Sequence, residues 1–138
     1  MIMDKLTLEA TLTNLDRVLA FVDRHLEQMG CGMKAQMEID LAVEELFVNI
    51  AKYAYSPDTG PATIEAETQT DPLTISITLI DQGTPYNPLA KEDPVLSPSI
   101  EERPIGGLGI FIAKKSMDHI EYAYDDGRNV LRITKRID

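Results

Sequence analysis

Asp81 continues the alternation Leu73, Ile75, Ile77, Leu79 of a segment whose other positions are Thr74, Ser76 and Thr78, so its carboxylate falls on the buried side of a strand. A carboxylate there is costly unless something donates hydrogen bonds to it. Gly83 follows and permits a close backbone approach. The plain alternative is a strand-ending Asp that caps a turn. Glu45 and Asn49 stand at i and i+4 in an earlier segment, which stacks them one turn apart on one helix face. At ~100° per residue they lie beside the apolar stripe Ile39, Ala42, Val43, Leu46, Ile50 and Tyr53, while Asp40 and Glu44 take the opposite, solvated side. An Asn amide oxygen suits Mg²⁺, which keeps much of its shell as water and phosphate. A carboxylate nearby can orient a nucleophile or accept its proton. Read plainly, the two are an ordinary pair at a helix edge. Gly106-Gly107-Leu108-Gly109 exposes backbone N–H groups at the start of a helix, which suits a phosphate. It is neither a P-loop nor a dinucleotide fingerprint, because no Gly-Lys-Ser/Thr follows and no strand precedes it. Its alternative is a hinge ending a long loop.

The elements that must position these residues follow from periodicity. Lys5–Ala10 reads as a strand, and Thr13 as an N-cap with Asp16 favouring the helix dipole. Leu15, Val18, Leu19, Val22, Leu26 and Met29 keep helical spacing up to Gly30 and Gly32. A second helix runs from about Lys34 to Tyr55 and ends at Pro57-Asp58-Thr59-Gly60-Pro61. Ala62–Thr70 and Leu73–Ile80 form two strands joined through Asp71-Pro72. A third helix covers about Leu108–Met117, and Ile120–Tyr124 and Val130–Ile137 form a hairpin across Asp125-Asp126-Gly127-Arg128. Between Thr84 and Ile105 no period survives, and five of the eight prolines fall there. A loop of that length in a compact domain is usually functional. The expected fold is a two-layer α/β (α+β) sandwich, with a largely antiparallel or mixed sheet covered on one face by three helices.

Composition bounds the answer. The chain has 138 residues, enough for one domain with a real core. Lys+Arg number 13 against 23 Asp+Glu, a formal charge of -10 that argues against nucleic acid and against an anionic membrane surface. One cysteine, Cys31, allows no internal disulfide, and two distant histidines make no His-based metal site. No apolar run reaches the ~20 residues of a membrane span, and Met1–Asp4 lacks the regions of a signal peptide. The expectation is a soluble cytoplasmic domain.

Taken in order, Glu45-x-x-x-Asn49, Asp81-Gln82-Gly83-Thr84-Pro85-Tyr86-Asn87-Pro88 and Gly106-Gly107-Leu108-Gly109 resemble the GHKL (Bergerat-fold) ATP-binding superfamily, and within it the small anti-sigma-factor serine kinases of bacteria. The resemblance covers nearly the whole chain, 1–138, as a single ATP-binding domain. It implies ATP and Mg²⁺, with Asn49 holding the metal and Glu45 as general base at the attacking hydroxyl. It implies Asp81 accepting a hydrogen bond from the adenine amino group and Gly83 letting the strand end approach the base. Gly106, Gly107, Leu108 and Gly109 would contact phosphates, Thr84–Ile105 would be the ATP lid, and Arg103 would assist charge neutralisation. The implied function is an ATP-dependent protein serine kinase and anti-sigma factor of a partner-switching system. Its partners would be a sigma factor and a small antagonist phosphorylated on serine; a homodimer is compatible with it. Two features depart from the pattern: Tyr53 stands where many relatives carry His, and the lid lacks a dense basic run, with Lys91 and Arg103 its only cations. They keep open the alternative of a catalytically inactive, nucleotide-gated protein-binding module.

Overall fold

A computed structural model describes residues 2–90 and 108–138, with the side chains of Ile2 and Leu108 outside that description. Arg103, Gly106, Gly107 and the expected lid beyond residue 90 lie outside the described residues. The chain forms β1 (Ile2–Glu9), α1 (Leu15–Gln28), α2 (Met33–Asn49), β2 (Pro61–Gln69), β3 (Thr74–Asp81), α3 (Leu108–Ser116), β4 (His119–Asp125) and β5 (Arg128–Arg136). The strands make one five-stranded sheet in the order β1-β2-β3-β5-β4, antiparallel at every pairing. The passage from β3 to β4 crosses over β5 and carries α3, so β3 is central.

The sheet's inner face and the three helices share one core. Ala62, Ile64, Ala66, Ile75, Ile77, Leu79, Leu131 and Ile133 pack with Val18, Val22, Leu26, Ile39, Val43, Leu46, Phe47, Ile110 and Ala113. This is the expected two-layer α+β arrangement. In β3 the alternation holds for the apolar set, yet Ser76 and Thr78 are also buried. Both neighbouring strands cover them: Ser76 bonds Thr134 at 3.1 Å and accepts from Arg132 at 3.1 Å, and Arg132 pairs with Glu67 at 3.3 Å. The outer face is thus closed by polar side chains rather than by a second helical layer.

Helix ends follow local chemistry with one exception. Gly30 takes φ 71°, and the bonds Cys31 N–H to Leu26 O (3.0 Å) and Gly30 N–H to Glu27 O (3.1 Å) close α1 as a Schellman motif. Thr13 does not cap α1. It lies in a 3₁₀ turn, Leu12–Asn14, with its hydroxyl on that of Thr11 at 2.9 Å, and the helix begins at Leu15. The hairpin turn has φ 53° at Asp126 and 77° at Gly127, the two positive values that a type I′ turn requires.

The second helix departs from expectation in its last turn and on one flank. After Asn49 the chain widens into a π turn, Ile50–Ala54. The widening takes Tyr53 out of the apolar stripe, and it is 61% exposed. Asp40 and Glu44 are half-buried rather than solvated. The reason is α1, whose Asp23 hydrogen-bonds Asp40 from that side. No helix of the described residues is long and apolar enough to cross a membrane.

Candidate functional site

Asp81 ends β3 in the row of the sheet where it faces Ala62 on β2 and Asn129 on β5. It is 5% exposed, as its place in the alternation predicts. Its Oδ1 accepts from the Gly83 N–H at 2.8 Å and from Asn129 Nδ2 at 2.9 Å. The first bond is the turn-capping one of the plain reading; the second ties the carboxylate to β5. Both fall on Oδ1, so Oδ2 is the acceptor neither uses.

Gly83 meets the end of α2. A Cβ at Gly83 would stand 2.5 Å from the Ala54 carbonyl carbon, and the Thr84 N–H donates to Ala54 O at 2.9 Å. The glycine lets the strand end approach backbone, and the carbonyl it reaches belongs to the π turn. Tyr55 reinforces the junction: its hydroxyl donates to Pro61 O at 2.5 Å and accepts from the Gln82 N–H at 2.8 Å. Burial pushes the Tyr55 hydroxyl's pKa up, and the charges of Asp81 and Glu9 add to it.

Between α2 and the sheet lies a cavity of about 200 Å³. Leu46, Ile50, Leu79 and Leu131 give it apolar walls, and Asn49 and Asp81 give it polar groups from opposite sides. An apolar slot with one carboxylate acceptor fits a flat heterocycle carrying an amino group. Asn49, an oxygen donor at the wall, fits a hydrated cation shared with phosphate oxygens. Tyr53, Thr84 and Tyr86 also line the cavity. Among the described residues no group of three or more His, Cys, Asp or Glu could hold a metal.

Glu45 lies one turn before Asn49, half-buried and outside the cavity wall. The first turn of α3 rests on it: a Cβ at Gly109 would stand 2.5 Å from Glu45 Cβ and 2.9 Å from Cδ. Gly109 therefore brings the N-terminus of α3 onto a carboxylate, an arrangement the helix dipole favours. Leu108 opens that helix. The structure thus brings Asn49 and Asp81 to one cavity, seats Gly83 against Ala54 outside its lining, and sets Glu45 against Gly109 one turn from Asn49.

The sequence reading did not single out Asn129 or Tyr122. Asn129 donates to Asp81 and to Thr84 O at 3.0 Å, and its Oδ1 accepts from the Tyr86 N–H at 3.1 Å and from the Tyr122 hydroxyl. A signal existed: Asn129 occupies the buried phase of Leu131 and Ile133, as Asp81 does in β3.

The chain thus sets a five-stranded antiparallel sheet under three helices, with an Asn and a buried Asp across a cavity at the end of α2. Residues 8–135 match the histidine kinase-like ATPase domain, and the chain belongs to that family. It is similar to the serine-protein kinase RsbW of Bacillus mycoides, at 30% identity over 114 residues, covering 80% of this chain and 69% of the relative. It is also similar to the serine/threonine-protein kinase BtrW of Bordetella bronchiseptica, at 25% identity, with 95% and 92% covered. Among solved structures, that of the RsbU and RsbW domains of Rv1364c from Mycobacterium tuberculosis superposes with a TM-score of 0.69 at 17% identity. That likeness concerns the fold; it takes in 99% of this chain and 33% of the other.

Proposed function

We propose that this chain is one ATP-binding domain, 1–138, that works in the cytoplasm as an ATP-dependent protein serine kinase and as an anti-sigma factor of a partner-switching system. The observation that carries the reading is the meeting of Asn49 and Asp81 across an apolar cavity, with Glu45 one turn from Asn49. It is joined by the chain's likeness to proteins named as serine kinases.

In this reading the adenine ring enters the slot and its amino group donates to Asp81. Asn49 holds Mg²⁺, which neutralises phosphate charge when bound. The amides of Gly106, Gly107, Leu108 and Gly109, with Arg103, face the phosphates. Glu45 accepts the proton of a serine hydroxyl as that oxygen bonds to the γ-phosphorus and the bond to the β-phosphate oxygen breaks, leaving ADP. The serine belongs to a small antagonist protein, and the sigma factor is the alternate partner. A homodimer is compatible with this scheme.

The test is incubation with labelled ATP and candidate antagonist proteins, scoring serine phosphorylation. Glu45→Gln should lower transfer by about a hundredfold or more and leave ATP affinity in place. Unchanged transfer in that variant would remove Glu45 as base. A second reading, a nucleotide-gated binding module without catalysis, draws on the placement of Glu45 against Gly109 instead of on the cavity. Nucleotide-dependent partner binding with no transfer to any antagonist would favour it.

A further inference from the structure

The Asn129 amide joins three pieces of chain that are far apart in sequence. Its Nδ2 donates to Asp81 Oδ1 at 2.9 Å on β3 and to Thr84 O at 3.0 Å, with Gly83 O at 3.5 Å. Its Oδ1 accepts from the Tyr86 N–H at 3.1 Å and from the Tyr122 hydroxyl on β4. The amide orientation follows from chemistry: the three oxygens require the NH₂ end, and the N–H and hydroxyl require the carbonyl end. Asn129 is 6% exposed, and it lines the cavity together with Tyr122, Asp81, Thr84 and Tyr86.

We infer that Asn129 and Tyr122 are a positioning pair that holds the Asp81 carboxylate and the chain Gly83–Tyr86 in one register, so that the cavity takes a base presenting a hydrogen-bond donor to Asp81. This deepens the nucleotide reading and rests on it. The Asn129 amide and the Gly83 N–H both occupy Asp81 Oδ1, which stops the carboxylate from turning and leaves Oδ2 for the ligand. Tyr122 in turn fixes the amide. The same amide carries the backbone that forms the cavity's other wall, so loss of one side chain loosens the acceptor and the wall together. Such a pair acts at the base end of a nucleotide and is blind to the number of phosphates.

Asn129→Asp keeps the size and the acceptor but sets an oxygen against Asp81 Oδ1. Two carboxylates at that distance repel when both are ionised, and a proton taken up between them at lower pH restores a donor. The groups facing this pair are Asp81 on β3, Tyr122 on β4, and Tyr86, with the charge of Asp81 also felt at Tyr55. The experiment measures adenosine, ADP and Mg·ATP affinity of the full chain by calorimetry at about pH 8 and about pH 5, with melting curves alongside. Asn129→Asp should weaken all three ligands by the same factor, about tenfold or more, at the higher pH and recover toward wild type at the lower. A loss equal at both pH values, or one that grows with phosphate number, would overturn the inference. Tyr122→Phe removes only a hydroxyl and serves if the first variant does not fold. It should speed hydrogen exchange at the Tyr86 amide in the ligand-free protein, and an unchanged rate there would overturn the inference as well. That arm needs no nucleotide, so failure of wild type to bind any would count against the proposed function alone.

Discussion

The Cβ that Gly83 lacks would collide with the carbonyl group of Ala54, so this position is set by contact rather than by a left-handed backbone. The Ala54 carbonyl is the one that accepts from the Thr84 N–H, at 2.9 Å. An alanine must push the end of β3 away from the π turn, and the Asp81 turn and the Thr84 bond move with it. Overpacking of this kind costs about 1–3 kcal/mol. Gly83→Ala is expected to lower the unfolding free energy by that amount, read as a lower urea midpoint, and to weaken nucleotide binding, because Asp81 and Asn49 sit on the two pieces it separates. A variant with wild-type stability and affinity would show that the junction yields freely. Glu45 is placed by a similar contact: Gly109 admits it against α3, and the side chain therefore depends on an element far along the chain.

At the scale of elements, the α1–α2 packing carries its own titration. Burial raises the Asp40 pKa to about 7, and its hydrogen bond with Asp23 and the charges of Asp23 and Glu44 act in the same direction. Asp40 Oδ1 is buried without a partner, and Asp23 also accepts from Gln36 at 3.1 Å. The folded chain therefore holds a proton that the unfolded chain releases, between the ordinary carboxyl range and about 7. The stabilisation is full on the acid side of that window and is lost as pH rises through 7. Asp40→Asn keeps a donor for Asp23 at every pH. It is expected to match wild type at about pH 4, at the acid end of that window, and to exceed it in urea midpoint by about pH 8, and parallel pH curves for the two proteins would refute the assignment. The elements themselves were largely legible, since the apolar phase of β3 led to Asp81 and Gly30 to the end of α1. The π turn was not, because Ile50 and Tyr53 keep helical spacing in the sequence while the Ala54 carbonyl it carries meets Gly83 and Thr84, which lie far along the chain. Asn129 escaped for a related reason: its partner Asp81 is a cross-strand neighbour, and that register belongs to the sheet rather than to local pattern. The solvated side assigned to Asp40 failed because the position of α1 over α2 is tertiary.

For the whole molecule the formal charge is -10, and both proposed ligand types must be reconciled with it. ATP is an anion, so the long-range field of the protein opposes its arrival. The attraction has to be local, from Mg²⁺ at Asn49 and from backbone N–H groups, acting over a few ångströms. A protein partner feels the opposite field if it presents basic faces, and its encounter is steered by charge over roughly a Debye length, about 10 Å at 0.1 M salt. The two interactions therefore carry opposite salt signatures. Raising NaCl from about 0.05 to about 0.5 M, a range over which exposed charges become strongly screened, is expected to weaken binding of the sigma factor and slow its association. Over the same range, with Mg²⁺ saturating, ATP affinity is expected to hold or to rise slightly, since screening removes repulsion and leaves the short-range contacts. Titrations of both ligands on one preparation check this. Sigma-factor binding indifferent to salt would show that the acidic surface has no part in choosing the partner. ATP affinity falling as steeply as partner affinity would place the nucleotide's attraction in long-range charge instead of in the Asn49 and Asp81 cavity.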